Sequence, residues 1–183
     1  MRKILVGASE LLTFDAVYVT KDEKRYTVEE LYINRSGSLY GLRVSEDGLL
    51  RKNSFVCGEN IGGFAKNTVL INGVQKAKAV AFKKLQFAFS DLFMTVIHVE
   101  DGSVLGNLSD VYFNIEDLSV MAVEISRSFF EDLLDGRMIV PGNIEIAADG
   151  SIVISRLQLE YQLHNAKGIV NVINNGIRKT EKQ

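Results

Sequence analysis

The sequence predicts an all-β chain in which one small module occurs twice, each copy a small barrel or sandwich. Three observations carry this expectation: a short phrase repeated together with its surroundings, apolar residues alternating at period two, and turn residues placed densely between the apolar runs. The phrase is EELYIN at 29–34, answered by SDVYFN at 109–114, so that Tyr32 and Asn34 correspond to Tyr112 and Asn114. Dense turns joining short β-branched and aromatic strands favour architectures in which closure or stacking disposes of exposed edges.

The blocks keep their order along both copies. VTKDEKRYTVEELYIN (19–34) lies over VEDGSVLGNLSDVYFN (99–114), each a valine, a polar turn and a strand ending on Tyr-x-Asn. Next comes a turn, RSGS in one copy and IEDLS in the other, where a loop absorbs one extra residue. LYGLRVS (39–45) then aligns with VMAVEIS (120–126), with Leu39, Gly41 and Arg43 on one parity and Tyr40, Leu42 and Val44 on the other. FVCG (55–58) meets IVPG (139–142), and TVLI (68–71) meets SIVI (151–154). Asp47-Gly48, Asp101-Gly102, Asp135-Gly136 and Asp149-Gly150 are turn signals, because Asp tolerates the left-handed region and Gly enters it without a steric penalty.

Between the copies, GVQKAKAVAFKKLQFAFSDL (73–92) has two readings. Lys76, Lys78, Lys83 and Lys84 beside Val80, Phe82, Phe87 and Phe89 describe a basic amphipathic helix lying on a membrane. The alternative is a strand closing the first copy and a connection alternating at period two over 84–90, which fits the pattern better. Residues 156–164, RLQLEYQLH, alternate likewise and suggest another strand, and IVNVINNGI after Gly168 suggests a short helix stopped at Gly176. This division gives a first unit over 1–90, connecting segment included, and a second over 91–183 with a C-terminal extension.

Bulk composition excludes several classes. The 183 residues are 46% hydrophobic and 24% charged, enough to bury one sizeable core or two small ones. A net charge of −2 provides no overall basic field for nucleic acid or an anionic membrane, leaving only a local patch at Lys76, Lys78, Lys83 and Lys84. No apolar run approaches the roughly 20 residues a membrane helix needs, and the apolar stretch near the N-terminus is broken too early for a signal peptide, so the cytoplasm is the expected location. Cys57 is the single cysteine, which excludes an internal disulfide and a cysteine-rich zinc site.

At GSVLGNLSDVYFNIEDLSVMAVEIS (102–126) the sequence resembles the PRC-barrel family, whose phrase is a Gly-containing turn, a second Gly, an Asp-containing strand, another turn and an apolar strand. Gly102, Gly106 and Asp110 stand at the three marked places. The first copy departs there, with Asp22, Tyr26 and Glu30, so its likeness rests on Tyr32, Asn34 and the alternation over 39–45. The resemblance implies two tandem small β-barrels, ended here by a short C-terminal helix or tail. Members include the cytoplasmic domain of the photosynthetic reaction-centre H subunit, the C-terminal domain of a ribosome maturation factor, sporulation-associated bacterial proteins and archaeal cell-division adaptors. Their shared theme is docking onto another macromolecule, and the family has no common catalytic residues to carry over. In physical terms, Gly106 permits a tight bend at a strand entrance and Asp110 accepts hydrogen bonds from nearby amides.

A search for chemistry adds little. His98 and His164 belong to no HExxH or paired-ligand pattern, and alternation in VIHVE sets His98 opposite in parity to Ile97 and Val99. No GxSxG elbow occurs, and GENIGGFAKN (58–67) lacks the GK[ST] ending of a phosphate loop, so a turn or bulge is the reading preferred there. Cys57 aligns with Pro141 and reads as a half-buried strand end. Phe129, Phe130, Glu131 and Asp132 form a candidate docking surface on a helical turn, paired aromatics beside acids. The expectation is a non-catalytic adaptor with a protein partner and no catalytic, cofactor-binding or metal site. The alternatives are a ribosome-associated or RNA-associated assembly factor, a small-ligand binder, and an enzyme with dispersed catalytic groups.

Overall fold

The computed structural model describes residues 5–19, 24–46, 52–76, 86–128, 131–132 and 136–164. The first repeat contains β1 (Leu5–Gly7), α1 (Ala8–Leu11), β2 (Asp15–Tyr18), β3 (Arg25–Asn34), β4 (Leu39–Glu46) and β5 (Asn53–Cys57). A 3-10 turn (Gly58–Asn60) leads into β6 (Ile61–Ala65), β7 (Thr68–Ile71) and β8 (Gln75–Lys76). The second contains β9 (Gln86–Ala88), α2 (Phe89–Leu92), β10 (Val96–Val99), β11 (Val104–Asn114), β12 (Val120–Ser126) and β13 (Met138–Pro141). It ends with β14 (Glu145–Ile146), β15 (Ile152–Ile154), α3 (Arg156–Glu160) and β16 (Leu163–His164).

The two sheets have the same order, strand for strand. One runs β6-β7-β2-β3-β4-β5-β8 and the other β14-β15-β10-β11-β12-β13-β16. Each holds one parallel pair, β2 with β7 and β10 with β15. Even the irregularities match: the β3–β4 ladder slips between Val28 and Glu30 and again after Tyr32, and the β11–β12 ladder slips between Leu108 and Asp110 and again after Tyr112. Tyr32 sits opposite Gly41 and Tyr112 opposite Ala122, so the repeated tyrosines occupy equivalent places. The all-β class is as expected. Barrel closure is not: among the described residues the end strands of each path do not pair with one another.

Each repeat lends its leading strand to the other's sheet. β1 pairs with β11, Leu5 opposite Asn114 and Gly7 opposite Tyr112, while β9 pairs with β3, Gln86 opposite Asn34 and Ala88 opposite Tyr32. The helices that follow, α1 and α2, travel with these strands, and Leu11 and Leu92 are buried to within 1%. The exchange is reciprocal, so a pseudo-two-fold axis relates the halves. It passes between the β3–β4 and β11–β12 turns, where Ser38 bridges Ser119. There Leu39 N donates to Leu118 O at 2.9 Å and Val120 N to Gly37 O at 2.9 Å, two equivalent bonds. Consequently one continuous apolar core spans the halves, with Leu31 and Ile33 from one sheet in the same cluster as Val111 and Phe113 from the other.

Local chemistry explains the elements. In β3, Tyr26 and Val28 are buried while Arg25 and Thr27 are exposed, the period-two pattern of a strand with one covered face. Gly106 has φ +155° and an added Cβ would lie 2.5 Å from Ser126 O, which accounts for the glycine. At the equivalent place the first repeat buries Tyr26 edge-on to Tyr18, ring centroids 6.1 Å apart. Asp101 and Asp149 each accept from a serine two residues on, closing the Asp-Gly turns, whereas Asp47-Gly48 lies outside the described residues.

Two expectations about elements change. Residues 156–160 are helix, not strand, because Ser155 and Gln158 form a capping box: Gln158 N donates to Ser155 Oγ at 3.2 Å and Ser155 N to Gln158 Oε1 at 3.0 Å. The alternating Leu157 and Tyr161 are 64% and 65% exposed, so no buried sheet face pulled the segment straight. Leu163–His164 does form a strand, β16. In the connecting segment Gln86–Ala88 is strand, but Phe89–Leu92 turns helical where alternation is expected to run on to residue 90, and 77–85 lie outside the described residues. The helix expected within 169–177 also lies outside them.

Candidate functional site

Asp110 ties the exchanged segment in place. Its Oδ1 accepts from Val111 N at 2.8 Å and from Ser9 N, 101 residues away, at 3.1 Å. Glu30 does the same for the other repeat, its Oε1 accepting from Leu31 N at 3.0 Å and Ser90 N at 3.3 Å. Ser9 and Ser90 are the second residues of α1 and α2, whose own N-cap residues, Gly7 and Ala88, supply no side-chain cap. The carboxylate of one repeat thus caps the helix of the other. Gly7 leaves room for the shorter carboxylate, since an added Cβ there would sit 2.9 Å from Asp110 Oδ2. Burial pushes the Asp110 carboxyl above its ordinary value, opposed by the Ser9 and Val111 amides.

Around Tyr112 the polar groups satisfy one another. Its hydroxyl donates to Glu124 Oε2 at 2.6 Å, and Arg137 Nη1 donates to Glu124 Oε1 at 2.9 Å. Asp132 accepts from Ser126 Oγ at 2.5 Å and from Arg127 N at 3.2 Å. Burial and Glu124 push the Tyr112 phenol well up, so it stays protonated. Tyr32 instead meets Phe55 edge-on, centroids 5.7 Å apart. The repeated tyrosines thus share a backbone place.

The two copies also differ where each turn meets the other repeat. The first turn is bonded down: Arg35 Nε donates to Ile146 O at 3.1 Å, Ile146 N to Arg35 O at 3.0 Å, and Asn143 Nδ2 to Ser36 O at 2.9 Å. Gly37, φ +70°, is required there, since a Cβ would come within 2.2 Å of Asn143 Oδ1 and 2.4 Å of Ile144 O. On the opposite side of the axis, the longer turn 115–119 faces Gly58–Gly63. Among the described residues no hydrogen bond joins the two, and a cleft of about 650 Å³ lies between them. Ile61, Ile115 and Leu118 line it with Cys57, and so do Glu59, Glu116 and Asp117; among the described residues no lysine, arginine or histidine does. Ser119 donates twice to Asp117, from N at 3.0 Å and Oγ at 2.6 Å, and holds it below the usual carboxylate range. Burial, then Glu59, pushes the Cys57 thiol up.

The residues singled out in the sequence are dispersed. Asn34 closes its turn by accepting from Ser38 N at 2.9 Å and lines the cleft, and Asn114 accepts from Glu116 N at 2.9 Å. Gly102, φ +84°, occupies its hairpin turn. Glu131 is exposed, Asp132 is half-buried in the Ser126 contact, and Phe129 and Phe130 lie outside the described residues. Lys76 is exposed on β8, and Lys78, Lys83 and Lys84 lie outside. His98 is half-buried between the buried Ile97 and Val99. Sequence reasoning missed the cleft, whose walls come from two distant segments; the one signal was the glycine pair Gly62-Gly63. Among the described residues no group of three or more His, Cys, Asp or Glu is placed to hold a metal, and no helix is long and apolar enough to cross a membrane.

No protein-family model matches the chain. Over 64 residues it is 30% identical to the uncharacterized protein YrrD of Bacillus subtilis (strain 168), a match covering 35% of this chain and 37% of that protein. The chain thus spans just over a third of the length of the relative it matches.

Proposed function

We propose that the chain is a non-catalytic adaptor, a tandem PRC-barrel-like module acting in the cytoplasm by docking onto a protein partner. One observation carries this reading: the repeats are alike in strand order and register, yet one of two equivalent turn contacts is tied by hydrogen bonds, with a smaller cavity of about 380 Å³ beside it, and the other has no such tie and opens into the cleft of about 650 Å³. A fold needing only internal stability has no use for the difference, whereas a docking module needs one accessible concave surface with apolar walls and a polar rim. The inward-satisfied Tyr112–Glu124–Arg137 network supports the non-catalytic part, since its groups are committed to one another. Gly102, Gly106 and Asp110 support the kinship.

The test is site-specific photo-crosslinking in native cells. A benzophenone side chain replacing Leu118 in the cleft is expected to give a discrete protein adduct, and the same group replacing the exposed Val104, away from the cleft, is not. Absence of an adduct at Leu118, or identical smears from both positions, refutes the reading.

A further inference from the structure

We infer that the cleft takes an extended, cationic peptide segment laid along the free edge of β6; this rests on the docking role proposed above and specifies its partner. The first argument comes from the closed twin. There the edge strand β14 uses its outward backbone at Ile146 to receive Arg35 through a two-way exchange, one bond to its carbonyl and one from its amide. Ladder register makes Phe64 the counterpart of Ile146, since Phe64 pairs with Val69 and Ile146 with Ile152. Among the described residues β6 is likewise the last strand of its sheet, with β7 its one partner in the sheet order. Its outward groups are thus placed for an incoming strand, the geometry of β-augmentation.

The second argument is access. The β6–β7 ladder skips Gly62, and an added Cβ at Gly63 would meet nothing within 4 Å. Gly62 is packed against Asn72 and Val19, 3.1 to 3.3 Å from where a Cβ would stand, so it is at Gly63 that another backbone can approach the edge closely. The third is charge. Glu59, Glu116 and Asp117 line the cleft without a cation among the lining residues, so a cationic side chain on the incoming segment finds acceptors from both walls. Ile61, Ile115 and Leu118 line the same cleft and accommodate the apolar residues that alternate with it.

Fluorescence anisotropy on the whole chain decides the matter. The probes are a labelled hexapeptide alternating arginine and valine, its glutamate–valine counterpart, and an arginine–valine version N-methylated on alternate amides. The expected result is saturable binding of the first, weakened at least tenfold by N-methylation and at least tenfold by Glu59→Lys with Glu116→Lys. Both substituted side chains are exposed, so the variant is expected to fold, which its melting curve checks. The doubly substituted chain should prefer the glutamate–valine peptide. Affinity unchanged by the substitutions, equal binding of the N-methylated peptide, or no saturation by about 1 mM overturns the inference. A Leu118 photo-adduct that forms undiminished in the Glu59→Lys, Glu116→Lys chain also overturns it while leaving the docking role intact; loss of that adduct from the unsubstituted chain removes the docking role itself.

Discussion

Replacing Asp110 by alanine tests how the repeats are locked together. The carboxylate holds two amides: Ser9 N at the exposed start of α1, which water reclaims, and Val111 N on a fully buried residue, which water does not reach. Losing a helix cap costs about 1 kcal/mol, and depriving a buried amide of its acceptor costs about 1–3 kcal/mol. Against this, the buried carboxylate itself carries a desolvation penalty that alanine removes. The balance is a loss of about 2 kcal/mol, which for a chain of this size lowers Tm by roughly 4–8 °C. Glu30→Ala should lose a similar amount, and because the two sites share no partners the double variant should lose the sum. Calorimetry reads the melts, and amide exchange at Ser9 reads the local effect, which should accelerate in Asp110→Ala and not in Glu30→Ala. Single variants melting within a degree of the parent, or equal acceleration at Ser9 in both, would refute the cross-repeat cap.

Other outcomes follow from the same geometry. Because folding raises the Asp110 carboxyl, the folded chain binds that proton more tightly than the unfolded one; stability therefore falls as pH climbs from the ordinary carboxylate range through the raised value, and Asp110→Asn should abolish that slope in pH-resolved melts. Asp101 behaves oppositely: two bonds from Ser103, then Arg156, lower it to about 2, so its contribution is lost as pH falls from the ordinary range toward that value. NMR titration should accordingly find Asp101 rising in Ser103→Ala, where the hydroxyl bond goes and the backbone bond stays, and rising also in Arg156→Ala. Gly37→Ala combines a left-handed backbone with Cβ contacts of only 2.2 and 2.4 Å, and should cost about 2–4 kcal/mol, measured by denaturant unfolding. The Cys57 thiol, raised by burial and Glu59, should react with a maleimide more slowly than a free thiol, and Glu59→Gln should speed it.

What was legible in the sequence follows from what period two encodes. Alternation fixes which face of a strand is buried, so the matched blocks over 39–45 and 120–126 become β4 and β12 with equivalent ladders. Alternation does not say whose sheet a strand joins. Leu5–Gly7 and Gln86–Ala88 are three residues each, and their exchange is decided by tertiary packing of Leu11 and Leu92. Glu30 looked like a departure from the motif because comparison by residue type misses a role shared by two carboxylates of different length. Over 156–160 alternation misled, since Ser155 and Gln158 favour a helical turn and no neighbour covers Leu157. The cleft was illegible for another reason: Glu59 and Glu116 meet only once the pseudo-two-fold is formed.

The borrowed first strand has a consequence for biosynthesis. When Leu5 and Val6 leave the ribosome, their pairing partners Asn114 and Phe113 have not yet been made. Translation at about 5–20 residues per second makes that delay roughly 5–20 s, long compared with hydrophobic collapse. A chain aborted before Phe113 leaves β1 orphaned and presents apolar surface to chaperones and proteases. A strand synthesised long after Leu5–Gly7 therefore decides whether that segment finds its pairing, and copies cut short before it are marked for removal by the strand left uncovered.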